Sequence, residues 1–270
     1  MPAVQAQVLA QMAKANFKAK AIRLPLDFKG FTDQAPFGAK DQKTPNAAAM
    51  FIPPSTLSYH VDTANVIGKN VEELIDACAD AIGKGMSQWQ AGAKFTGVLI
   101  NGPVGMAIPG SLVAPPFMSG PMLFSMVDMA GRQPTFIQYA RSITFAIGMA
   151  FQVWQSGYMV MMTFPGGAVC SVTMPPSPNI PLPLAAGFSP GDAMMSAASL
   201  KGLMLANHGL PGNHAMDIFD AFAQAFATLF MTWKGSTMIT AVIGAGGVAP
   251  PPPAPPAPVV MATGNMGSLP

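Results

Sequence analysis

The sequence predicts an α+β fold made of three internal helix-turn-strand units, with short strands and extended proline-rich arms. Three observations carry this expectation. Each of the three tryptophans ends a segment of similar design: IDACADAIGKGMSQWQ at Trp89, YARSITFAIGMAFQVWQ at Trp154 and FDAFAQAFATLFMTWK at Trp233. Each segment is followed by a short run of branched and long apolar residues without helical spacing, and then by glycines and prolines. The same order of features three times in one chain is the mark of an internal repeat.

Aligned on the tryptophans, the segments place Ile75, Ala140 and Phe219 together, followed by Cys78, Ile143 and Phe222. Ile82, Ile147 and Phe226 come next, and then Met86, Phe151 and Phe230. Steps alternating between three and four put these positions on one buried helical stripe. Gly83, Gly148 and Ala227 share a position where a small side chain lets a neighbouring backbone approach closely. The nine residues Ile82, Met86, Trp89, Ile147, Phe151, Trp154, Phe226, Phe230 and Trp233 are therefore the candidate structural and interface set. For the tryptophans, core packing is the ordinary role and outranks direct contact with a partner.

Strands are expected in KFTGVLI from Lys94, YMVMMTF from Tyr158 and STMITAVI from Ser236, where apolar residues run for seven or eight positions. Glycine turns are expected at Gly102 and Gly105, at Gly166 and Gly167, and at Gly244, Gly246 and Gly247. Prolines follow at Pro115 and Pro116, at Pro175, Pro176 and Pro178, and from Pro250 through Pro258. The expected organisation is an N-terminal helix and irregular arm over 1–58, a body over 59–248 and a proline-rich arm over 249–270. Within the body the units run over about 59–116, 134–184 and 213–248. Residues 1–23 read as an amphipathic helix. SPGD at Ser189 reads as a helix start, with Ser189 capping, Pro190 in the first turn and Asp192 reaching back, and that helix ends near Asn207.

Charge is distributed unevenly. Residues 1–94 hold ten of the fourteen Lys and Arg and eight of the twelve Asp and Glu, leaving eight charges for the remaining 176 residues. No charge occurs between Lys94 and Asp128, between Arg141 and Asp192, or after Lys234. A surface so poor in charge calls for a cover of protein or lipid. Ser142 to Phe164 is long enough to span a bilayer. Gly148, Gln152, Gln155, Ser156 and Gly157 interrupt it, and its counterparts carry Asp76, Asp80, Lys84, Asp217 and Asp220, so a buried helix followed by a strand is the better reading. A net charge of +2, with no basic run interleaved with aromatics, speaks against nucleic acid. No secretory leader with a small-residue cleavage site is visible.

Catalytic signals are weak. His60, His208 and His214 form no compact ligand motif, and Cys78 and Cys170 are too few for a disulfide framework. GAGGV at Gly244 follows a strand, but Pro250 to Pro253 stand where a phosphate-binding helix would begin. Neither catalytic residues, nor a cofactor, nor a metal is expected.

The functional expectation is a non-catalytic structural subunit of a large symmetric assembly, such as a virus or phage particle, a contractile tail or a baseplate-like machine. Its partners are other protein subunits, both copies of itself and different chains. The chain is expected to be made in the cytoplasm and incorporated into such a particle. Two alternatives belong to other classes: a membrane-associated accessory subunit of a multiprotein complex, and a binding module for small apolar ligands or peptides with a methionine-lined cleft.

Overall fold

A computed structural model describes residues 3–25, 41–101, 104–164, 178–209, 212–244, 259–260 and 262–265. Mixed helix and small antiparallel sheets make an α+β architecture. Three long helices form its centre: α2 (Ser58–Gly92), α4 (Pro134–Gly157) and α6 (Ala215–Ser236). Each ends three residues after its tryptophan, and the next residue (Ala93, Tyr158 or Thr237) turns to extended backbone. The chain therefore leaves all three helices in the same way.

Shorter helices fill the grooves between the long ones. α1 (Ala6–Ala19) packs on α2 and α6, α3 (Gly120–Ser125) on α2 and α4, and α5 (Ala197–His208) on α4 and α6. The positions read as small on the stripe explain two of these approaches. A Cβ on Gly83 would stand 2.8 Å from the Ala6 Cβ of α1, and one on Gly148 would fall within the backbone of Ser119 and Gly120 at the start of α3. Ion pairs hold α1 in place: Lys14 meets Asp76 at 2.7 Å and Lys20 meets Asp220 at 2.5 Å. Asp76 and Asp220, which stand at the same distance before Trp89 and Trp233, thus face the same small helix. At the same distance before Trp154 stands Arg141, which lies over the Phe145 ring at 5.1 Å.

The strands gather where the long helices end. β1 (Lys94–Phe95) pairs with β4 (Leu112–Val113), and β2 (Leu99–Asn101) with β3 (Val104–Ala107). β5 (Val160–Thr163) pairs with β3, and β6 (Leu182–Pro183) with β7 (Met238–Ile239). β8 (Ile243–Gly244), β9 (Val259–Val260) and β10 (Ala262–Asn265) complete two four-stranded sheets, ordered β4-β1-β10-β8 and β5-β3-β2-β9. The described pairings between named strands are all antiparallel.

The continuous strands expected after Trp89 and Trp233 are each broken in two. Gly97, with φ of +68°, separates β1 from β2, and Ala241, with φ of +58°, separates β7 from β8. Both stand eight residues after a tryptophan, and a left-handed residue cannot continue a pleated ladder. Gly105, expected in a turn, lies within β3, where an added Cβ would stand 2.7 Å from the Phe164 ring. The Ser189 capping box forms as expected, but it opens a 3-10 turn over Pro190–Met195. Extended Ser196 then ends that turn and caps α5, so a second helix starts where one was expected to continue. The arm of 249–270 and the glycines and prolines at 166–176 lie largely outside the described residues.

Candidate assembly interface

The nine stripe residues meet in the interior. Ile82, Ile147 and Phe226 are fully buried, as are Met86, Phe151 and Phe230. The tryptophans close the column as a triangle, with ring centroids 6.1 Å apart for Trp89 and Trp154, 5.8 Å for Trp89 and Trp233, and 6.0 Å for Trp154 and Trp233. Edge-on contacts of Trp89 with Phe151 and of Trp154 with Phe230 stack the layer below against it. These residues are core and present no surface to a partner.

Hydrogen bonds run around the triangle. The Trp89 indole donates to Gln155 Oε1 at 2.9 Å, and the Trp233 indole to Gln90 Oε1 at 3.0 Å. Each acceptor is the residue that follows another tryptophan. The corresponding acceptor for Trp154 would come from residue 234, which is lysine. An ammonium can only donate, and Lys234 Nζ turns to Asp192 Oδ1 at 2.6 Å. The Trp154 indole nitrogen is accordingly buried without a partner.

Beyond this layer the character of the surface changes. Lys94 is the one charged residue in the described strands. On the outer face of the sheet formed by β5, β3 and β2, Leu99 stands opposite Met106, and Met106 opposite Met161. Directly opposed residues share a face, so these three make one row across three strands. They are 45%, 47% and 62% exposed, while Ala107, Val160 and Met162 on the inner face are buried. Val104 and Ile108 extend the row along β3, and Phe117, Ile180, Phe188 and Ile243 are exposed on neighbouring segments. Covering a large apolar side chain contributes about 1.5–3 kcal/mol. The open row therefore represents several kcal/mol of unused association energy.

The charges lie toward the other end and on the helix flanks. Lys201 joins Lys20 on Asp220 at 3.3 Å, and Lys43 pairs with Asp62 at 2.5 Å. Arg132 pairs with Glu73 and lies over the Phe136 ring at 4.8 Å. Hydrogen bonding from Lys20 holds the Asp220 carboxyl below its usual range. The chain thus carries most of its charge at one end and little at the other, where Lys94 and the Lys234–Asp192 pair lie.

The groups weighed for chemistry are dispersed. Among the described residues no cluster of three or more His, Cys, Asp or Glu side chains could hold a metal ion. His60 contacts Ser55 at 2.7 Å, His208 packs on Tyr139 and Phe219, and His214 is the left-handed N-cap of α6. Cys78 is buried, which raises its thiol pKa and keeps it protonated. Cys170 lies outside the described residues. No described helix is long and apolar enough to cross a membrane. No family model, no curated protein and no solved structure matches the chain.

Proposed function

We propose that this chain is a non-catalytic structural subunit of a large symmetric assembly, held to neighbouring protein subunits through its charge-poor strand end. The exposed row of Leu99, Met106 and Met161, in a region whose described strands hold one charge, is the observation that carries this reading. An apolar surface of this kind is a recurrent mark of a protein–protein contact.

The reading includes an internal triplication. It is supported by helix ends at the same distance from each tryptophan, by the triangle those tryptophans form and by the hydrogen bonds from Trp89 and Trp233. A further parallel lies five residues past each tryptophan. Lys94, Met159 and Met238 there face antiparallel partners at Val113, Phe188 and Pro183. One chain with three similar units can occupy a position where three subunits would otherwise meet. In this proposal the proline-rich segments lace neighbours together, drawing on the low ordering cost of polyproline backbone.

Mass photometry and sedimentation of the purified chain test the proposal. Self-association or capture into its particle is expected for the native protein. Met106→Lys together with Met161→Lys should disperse it while leaving the helical circular dichroism unchanged. A native chain that stays monomeric at all concentrations and binds no other subunit overturns the reading.

A further inference from the structure

At the end opposite the tryptophans the long helices line a half-open cavity of about 430 Å³. Its walls come from Ile67–Leu74 of α2, the start of α4 and the start of α6. Leu74, Tyr139 and Ile218, each fifteen residues before a tryptophan, all line it. The buried column that the tryptophans close at one end thus opens into this space at the other. Its size falls within the range of small-molecule sites, about 300–1,000 Å³.

The lining is of two kinds. Phe51, Val71, Leu74 and Ile218 are buried apolar residues, and Phe136 and Tyr139 add half-buried rings. Against this apolar wall stands Arg132. Its Nη1 donates to Glu73, its Nε is covered by protein, and the side chain remains 28% exposed. Gln133, the N-cap of α4, makes no capping bond with its side chain, and with Pro134 at the first position the uncapped first-turn donors are the Thr135 and Phe136 amides. Glu73 is the one carboxylate in the lining and Arg132 the one guanidinium, and Asn70, Gln133, Thr135 and Asn213 add neutral groups that can donate or accept.

We propose that this cavity binds a small molecule with a flat apolar body and a carboxylate head, the body against Phe136, Tyr139 and Val71 and the head at Arg132. An arginine beside an aromatic wall suits an acceptor-headed ligand, whereas an amine would be set beside the Arg132 cation. The site lies away from the strand face and is independent of the assembly reading.

Calorimetric titration of the full chain with 2-naphthoate, 2-naphthalenemethanol and 2-naphthylmethylamine tests it. One naphthoate per chain is expected, bound at least about tenfold more tightly than either analogue. Thr135→Trp, which places bulk on the exposed rim, and Gln133→Glu, which sets a like charge beside the head, should each weaken naphthoate by about tenfold or more. Both positions are exposed, so the fold should survive either change. Met161→Lys on the strand face should leave binding unchanged. Absence of naphthoate binding at millimolar concentration, equal binding of the amine, or indifference to both rim variants overturns the proposal.

Discussion

The Trp89 indole donates to the side-chain oxygen of Gln155 at 2.9 Å, joining the end of one central helix to the end of another through the buried core. The Gln155 amide nitrogen also donates to the Leu112 carbonyl at 3.1 Å and so ties β4 to the same point. Gln155→Leu preserves the volume and leaves both groups unpaired. Each orphaned buried group costs about 1–3 kcal/mol, so urea unfolding should show a loss of that order for each. The exposed Gln152→Ala should change stability by less than about 0.5 kcal/mol.

Lys234 accounts for the unpaired indole of Trp154. Lys234→Gln puts after Trp233 the acceptor that Gln90 and Gln155 supply after the other two tryptophans, and Asp192→Asn in the same protein relieves the aspartate left behind. The indole proton resonances read the result. Native protein should show two downfield signals, from Trp89 and Trp233, and one displaced upfield, from Trp154. In the double variant the third should move downfield to join them. A Trp154 signal that does not move contradicts the proposed triplication.

Close helix packing gives an asymmetric pair of glycine effects. Gly148→Ala forces a methyl into the backbone of Ser119 and Gly120 and should destabilise by about 1–3 kcal/mol, as overpacking does. Gly202, inside α5, has open space around it, and Gly202→Ala should stabilise by about 0.5–1 kcal/mol. Thermal melts of the two variants should move in opposite directions.

His208 is buried against Tyr139 and Phe219, and the loss of solvation lowers its pKa below the usual 6.5. In the unfolded chain the imidazole binds a proton as pH falls through about 6.5, while in the folded chain it does so only at lower pH. The unfolded state therefore gains protons first, and stability declines as pH drops below that point. His208→Gln should flatten this part of the profile. Asp220 acts lower on the scale: Lys20 depresses its carboxyl, so its contribution is present above the ordinary carboxylate range and is lost as pH falls through its folded pKa.

Much of this interior was legible in the sequence because it obeys a helical period. The alternating steps from Ile75 to Trp89, with their counterparts, select residues that are buried in the structure. The short helices α1, α3 and α5 were harder to place as groove fillers, since that role depends on contacts between distant segments. The break after Trp233 is not legible because a left-handed alanine such as Ala241 carries no sequence signal, whereas the break after Trp89 falls on a glycine, Gly97. Charge gaps announced an uncovered surface, yet only strand register shows that Leu99, Met106 and Met161 stand side by side. The Arg132 cavity carried no linear signal, since its walls come from three helices far apart in the chain.

Four methionines provide the most direct test of the central claim that the strand end is covered by protein. Met106 and Met161 lie on the uncharged sheet face, while Met216 and Met231 lie on α6 and are 59% and 61% exposed. Thioethers open to solvent oxidise readily to the sulfoxide. Brief peroxide treatment of the assembled and the dispersed protein, read by peptide mass spectrometry, compares the two pairs. Met106 and Met161 should be protected in the assembly and oxidised when dispersed, with Met216 serving as a control that reacts in both states. Equal oxidation of Met106, Met161 and Met216 in the assembled protein would contradict the account.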